Sequence, residues 1–108
     1  MQIREYIDLK GKSAFRGWFK SLSPAAQAKV AAALSRMEDG NVSNVKSVGL
    51  GVVERRIDWG PGYRIYFGRE GDDIIVLLGG GTKKRQGKDI VRAQALWTEY
   101  KTLKRRGR

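Results

Sequence analysis

Four side chains fall where strand periodicity could bring them against a phosphate. In "VVERRIDW" (52–59) and "YRIYFGR" (63–69) polarity alternates with a period of two, and "GPG" joins the runs. With Gly60, Pro61 and Gly62 as the tip, Trp59 pairs with Tyr63, Asp58 with Arg64, Ile57 with Ile65, and Arg56 with Tyr66. Ile57, Ile65 and Phe67 then share one face, and Glu54, Arg56, Asp58, Arg64 and Tyr66 share the other. A slip by one residue would bury the charges, so the hydrophobic pattern holds this alternation. Two guanidiniums flanking a phosphate can stabilise charge developing on it, because each offers a rigid fork of donors. Tyr66 could stack on a base or pass a proton, and Glu54 is the carboxylate placed to act as a base. The same residues also fit a plain cross-strand charge ladder, Glu54 with Arg56 and Asp58 with Arg64.

A second candidate follows in "LLGGGTKKRQGKDI" (77–90), where a glycine triplet precedes a burst of cations. It is not a nucleotide loop. A phosphate-binding loop needs G-x-x-x-x-G-K-[ST], whereas Gly81 is followed by Thr82 before any lysine, and the dinucleotide spacing G-x-G-x-x-G fails as well. What remains is a strand end running into a helix whose start carries Lys83, Lys84, Arg85 and Lys88. Cations at that end oppose the helix dipole, so they point to an anionic partner more than to a gain in stability. Lys46, in the preceding loop, joins them as a candidate RNA contact.

Composition narrows the chemistry. The chain has no cysteine and no histidine among its 108 residues, which removes thiolate nucleophiles, disulfides, thiolate zinc sites and the usual neutral-pH base. Acid–base work falls to Glu, Asp, Lys or Tyr. Net charge is +11, and residues 83–108 carry ten Lys/Arg against Asp89 and Glu99. Such a skew indicates a polyanion: nucleic acid, an anionic membrane surface or an acidic protein, although the final "KRRGR" also reads as a solvated tail. No stretch is long and apolar enough to span a bilayer, and the charged start "MQIREYIDLK" lacks a signal peptide's apolar core. The expectation is a cytoplasmic protein of one domain over residues 1–108, with no metal or small-molecule cofactor.

The elements that must carry these residues are an α+β set. "QIREYIDL" reads as a short strand with Ile3, Ile7 and Leu9 on one face and Gln2, Arg4, Tyr6 and Asp8 on the other. Ser13 caps a helix with Phe15, Trp18, Phe19 and Leu22 on one side. Ser23 and Pro24 start a second, striped by Ala26, Val30, Ala33, Leu34 and Met37 and ended at Gly40. "NVSNVKSVGLG" is a loop with one extended turn. A three-stranded antiparallel meander follows, its third run apolar on both faces and therefore central. A last helix runs from about Gln86 toward Arg105, striped by Ala93, Leu96, Trp97, Tyr100 and Leu103. The fold expected is an N-terminal strand, an αα-hairpin packed on a small antiparallel sheet, and a C-terminal helix.

That order, with "AFRGWFKSL" (14–22), "GPGYRIYF" (60–67) and "VLLGGGTKKRQGKDIVRA" (76–93), resembles the RelE/ParE superfamily of toxins from type II toxin–antitoxin modules. More specifically, the chain is similar to the HigB-like, phage-related addiction module killer branch. The resemblance implies a small basic toxin held inactive by an acidic antitoxin, often one with a helix-turn-helix. RelE-side members cut mRNA in the ribosomal A site without metal: the ribose 2′-OH attacks the adjacent phosphate and leaves a 2′,3′-cyclic phosphate. By this likeness the strand arginine and tyrosine are Arg64 and Tyr66, the preceding strand arginine is Arg56, and the basic cluster is Lys83 and Lys84. Relatives that move protons with histidine have no counterpart here, which leaves Tyr66, Glu54 or a lysine as base. Tyr100, near the C-terminus, has its place in the apolar stripe as the simpler explanation. ParE-side members instead poison DNA gyrase, and a basic RNA-binding module without toxicity is a third reading.

Overall fold

Two serines start the N-terminal helices as their sequence context predicts. In the computed structural model, which describes residues 1–107, the Ser13 hydroxyl accepts the Arg16 N–H at 3.0 Å and opens α1 (Ala14–Lys20). The Ser23 hydroxyl accepts the Ala26 N–H at 3.2 Å and opens α2 (Pro24–Glu38), with Pro24 at the position where a missing N–H costs nothing. Arg108, the end of the "KRRGR" run, lies outside the described residues.

Five strands form one mixed sheet: β1 (Gln2–Glu5), β2 (Val45–Ser47), β3 (Val52–Ile57), β4 (Tyr63–Glu70) and β5 (Ile74–Thr82), in the order β1-β5-β4-β3-β2. The meander β3-β4-β5 is antiparallel, and the extended turn of the loop is the edge strand β2, paired with β3. The first strand adds the one parallel pairing, Gln2–Glu5 beside Ile74–Leu77, so β5 is an inner strand, as its apolar run requires. A 3-10 turn over Lys83–Arg85 leads into α3 (Gln86–Arg106). Among the described residues no helix is long and apolar enough to cross a membrane.

Each face of the sheet has its own core. Phe15, Val30, Ala33 and Met37 of the helical hairpin pack on Ile65, Phe67, Ile75 and Leu77. Across the sheet, Ala93 and Trp97 of α3 pack on Val52, Tyr66, Val76 and Leu78. The hairpin layer was expected. The second layer corrects the sequence reading, which left that face uncovered: an apolar stripe as long as that of α3 must be buried somewhere, and this was the free face.

Two finer expectations are also corrected. Arg56 lies opposite Arg64 and Glu54 opposite Tyr66, a register displaced by two residues from the one predicted. The connection is longer than "GPG": the Trp59 N–H bonds back to Ile57 and the Gly62 N–H to Trp59, with Gly60 and Gly62 both at positive φ. An even displacement preserves the faces, so the sorting of side chains survives. At the N-terminus it is Tyr6 that is buried, its hydroxyl donating to Glu99 Oε1 at 2.5 Å, while Ile7 is 54 % exposed and Leu9 72 %. The strand ends at Glu5, so alternation no longer governs the next residues.

Candidate functional site: a cationic sheet end over a buried polar cluster

The glycine triplet is a packing device. β5 carries a bulge, since Tyr66 pairs with Gly79 while Phe67 pairs with Leu77, and the alternation resets there. Gly80 then faces Trp18, whose ring would sit 2.2 Å from a Cβ, and Gly81 faces Asp89, whose Oδ2 would sit 1.9 Å away. Absent side chains let one tryptophan and one carboxylate lie against bare strand. The absence of a nucleotide-loop spacing has this structural counterpart.

Glu54, Arg64 and Tyr66 do come together, but under α3. Glu54 and Tyr66 are 0 % exposed and Arg64 is 6 % exposed. Arg64 Nη1 donates to the Gly62 carbonyl at 3.1 Å, and its Nε lies 3.7 Å from Glu54 Oε2. The same Glu54 oxygen accepts from Gln86 Nε2 at 2.7 Å. Gln86, the first residue of α3, was not singled out by the sequence, because nothing in a lone glutamine announces a buried carboxylate across the sheet. The Tyr66 hydroxyl, Glu54 Oε1 and Asp89 Oδ2 are buried with no hydrogen-bond partner among the described residues. Burial, and then the Glu54 charge, raises the Tyr66 phenol well above its ordinary range. Burial likewise raises Asp89.

This overturns Tyr66 as an exposed stacking surface and Glu54 as a base in contact with substrate. In this arrangement Glu54 holds Arg64 from below, across 3.7 Å. Arg56, by contrast, is exposed. The first of the cations after β5 is tied to the same loop as Arg64: the Lys83 backbone N–H donates to the Gly62 carbonyl at 3.0 Å, the same carbonyl that receives Arg64. Lys83, Lys84, Arg85 and Lys88 are exposed, and none is ion-paired among the described residues. Lys46 is exposed on the edge strand, at the register position opposite Glu54. Tyr100 is a packing residue, stacked on Trp97 at 5.1 Å with its hydroxyl on Glu70 at 2.9 Å.

Two buried phenols and one half-buried set an alkaline limit. Tyr6, Tyr66 and Tyr100 all have raised pKa values, mainly through burial. Above the unfolded-chain value of roughly 10, the unfolded state releases protons that the fold retains, so stability falls as pH rises. Thermal melts should therefore decline steeply above that pH. Tyr66→Phe should soften the decline and cost little near neutrality, because the hydroxyl it removes has no partner.

The family model described as "Phage derived protein Gp49-like (DUF891)" matches residues 17–97. The chain belongs to this family. Gp49-like proteins are addiction-module toxins of RelE/ParE type, so an antitoxin is the partner that membership implies. An uncharacterized protein of Haemophilus influenzae (strain ATCC 51907 / DSM 11121 / KW20 / Rd) is similar at 39 % identity over 94 residues, covering 86 % of this chain and 95 % of that protein.

Proposed function

We propose that this Gp49-like toxin arrests translation by cutting ribosome-bound mRNA through attack of a ribose 2′-OH. One observation carries the reading: an immobilised guanidinium, Arg64, lies directly across the β3–β4 pair from an exposed one, Arg56, and shares a carbonyl with Lys83. In the cleavage the 2′-oxygen forms a bond to phosphorus, and the bond from phosphorus to the 5′-oxygen breaks. The products are a 2′,3′-cyclic phosphate and a 5′-hydroxyl. Exposed Arg56 takes most of the charge that builds on the equatorial oxygens. Arg64, 6 % exposed where Tyr66 and Glu54 are 0 %, meets it through the small part of its fork that stays open, with little reorganisation because Glu54 and Gly62 already hold it. Of the three candidate bases, burial removes Tyr66 and Glu54 from contact with RNA. That leaves a lysine, with Lys83 next to the arginine. An acidic antitoxin carrying a helix-turn-helix is the protein partner, and the cytoplasm, where ribosomes are, is the compartment.

The sealing of Tyr66 and Glu54 favours a second reading, a DNA gyrase inhibitor that works by binding alone. Induction in cells separates the two. The nuclease reading expects primer extension to find breaks confined to translated mRNA, with cyclic phosphate ends, within minutes of arrest. Intact messages together with lost supercoiling and an SOS response would transfer the protein to the gyrase class.

A further inference from the structure

Among the described residues, Arg55 is a buried charge with no opposite charge paired to it. It alternates with Glu54 and Arg56 on β3 and so turns toward the helical hairpin, where it is only 6 % exposed. Its Nη1 donates to the Ser43 carbonyl at 2.9 Å, but its Nε has no partner and no carboxylate pairs with it among the described residues. A buried guanidinium normally has a counter-charge, because desolvation without one is costly. Here most of the charged neighbours are of the same sign. A cavity of about 340 Å³ elsewhere, over Gly79 and Gly80, mixes carboxylates with its cations, but the one at Arg55, about 230 Å³, is lined by Lys29, Arg36, Arg55 and Arg56 against Asp58 alone. Burial, and then the Arg36 charge, lowers the Arg55 pKa, as expected of a cation short of an anion.

We propose that this cavity between α2 and β3 is a phosphate-binding site, with Arg55 as its buried anchor and Arg36, Lys29 and Arg56 as its rim. A phosphate group provides what the cavity lacks: negative charge in a small volume, with several acceptor oxygens for a guanidinium fork. The group we assign to it is a backbone phosphate of single-stranded RNA. Arg56 lines this cavity and also lies opposite Arg64 in the sheet, so a strand of RNA that crosses β3 at Arg56 would pass from the cations on the α3 side to Arg55 on the hairpin side. The source of the phosphate rests on the nuclease reading; the site itself does not.

Two measurements on the full chain test this. The first is melting temperature in millimolar inorganic phosphate against chloride at matched ionic strength. The wild type should show a saturable rise, following the logarithm of free phosphate above its dissociation constant. Arg55→Met should abolish that saturable rise, and so should Arg36→Ala, an exposed position that keeps the test open if the methionine variant does not fold. The general stabilisation by phosphate as an excluded salt will persist in all three and serves as the baseline. The second is the affinity of a short single-stranded RNA oligonucleotide as a function of salt. Loss of one phosphate contact should lower the slope of log affinity on log salt by about 0.7 in either variant.

A saturable rise with an altered RNA slope supports the site and its occupant. A saturable rise with an unaltered slope supports the site but assigns it to a free phosphomonoester. No saturable rise, with equal RNA slopes in all three proteins, overturns the proposal and leaves Arg55 as a tie for the Ser43 loop. Dependence on Arg55 shown by a Glu-rich peptide and not by phosphate overturns it in favour of a protein partner. If the wild type binds no RNA at all, the nuclease reading falls while the phosphate measurement still judges the site.

Discussion

Arg64→Ala should abolish growth arrest, with cleavage of translated mRNA reduced by about 10²- to 10³-fold, the usual effect of removing one preorganised donor from a developing oxyanion. The alanine variant has a second consequence. Glu54 would be left buried without its cation, held only by Gln86, and an unpaired buried charge costs about 3–5 kcal/mol. Arg64→Lys separates the two effects. It keeps a positive charge beside Glu54 but loses the fork that reaches the Gly62 carbonyl and that, in the proposed cleavage, meets the phosphate as well. The lysine variant should therefore melt near the wild type and still cut at least about tenfold more slowly, a loss of some 1.4 kcal/mol in transition-state stabilisation. Primer extension and a thermal melt on the same preparations check both statements. Full arrest by a folded Arg64→Lys or Arg64→Ala protein would remove the arginine from the mechanism.

The largest loss of stability is expected at Trp97, the residue that fastens α3 to the sheet. Its ring is 5 % exposed and stacks on Tyr100, and it lies so close to β4 that a Cβ on Gly68 would come within 2.6 Å of it. Trp97→Ala should lower the unfolding free energy by about 3–5 kcal/mol, a large part of the roughly 5–15 kcal/mol of a whole domain. The urea midpoint should fall accordingly. Because α3 also roofs Glu54 and Tyr66, hydrogen exchange in the variant should show the helix opening before the hairpin side of the sheet. An unchanged midpoint would mean that α3 is held elsewhere.

Much of the architecture could be read from local chemistry. Ser13, Ser23 and Pro24 mark the helix starts because capping acts within one turn, and the stripe of Ala26, Val30, Ala33 and Met37 names a buried face without any tertiary knowledge. The faces of β3 and β4 were legible for the same reason: alternation is a property of the strand. Register was not, because it depends on how the backbone turns between Ile57 and Tyr63, where two positive-φ glycines lengthen the loop. Placing Glu54 and Tyr66 on an open surface failed for a longer-range reason. What covers a strand is decided by a helix that comes some thirty residues later, and the signal was present in Val52, Val76 and Leu78, apolar on the same face as Tyr66. Arg55 is hard to read from sequence because a cation between two other charged residues looks like surface, and only its parity with Ile57 places it inward.

The sheet order also constrains how this protein is made. Gln2 to Glu5 find their neighbours at Ile74 to Leu77, so the chain's opening residues wait for its last strand, itself bordered on its other side by β4. Closing a loop of that length is an entropic cost met late in folding. While still being synthesised, the nascent chain therefore lacks a completed sheet until Leu77 has left the exit tunnel, and Lys83 follows only then. A cell making this toxin has that interval in which the cations after β5 are not yet set beside a finished sheet.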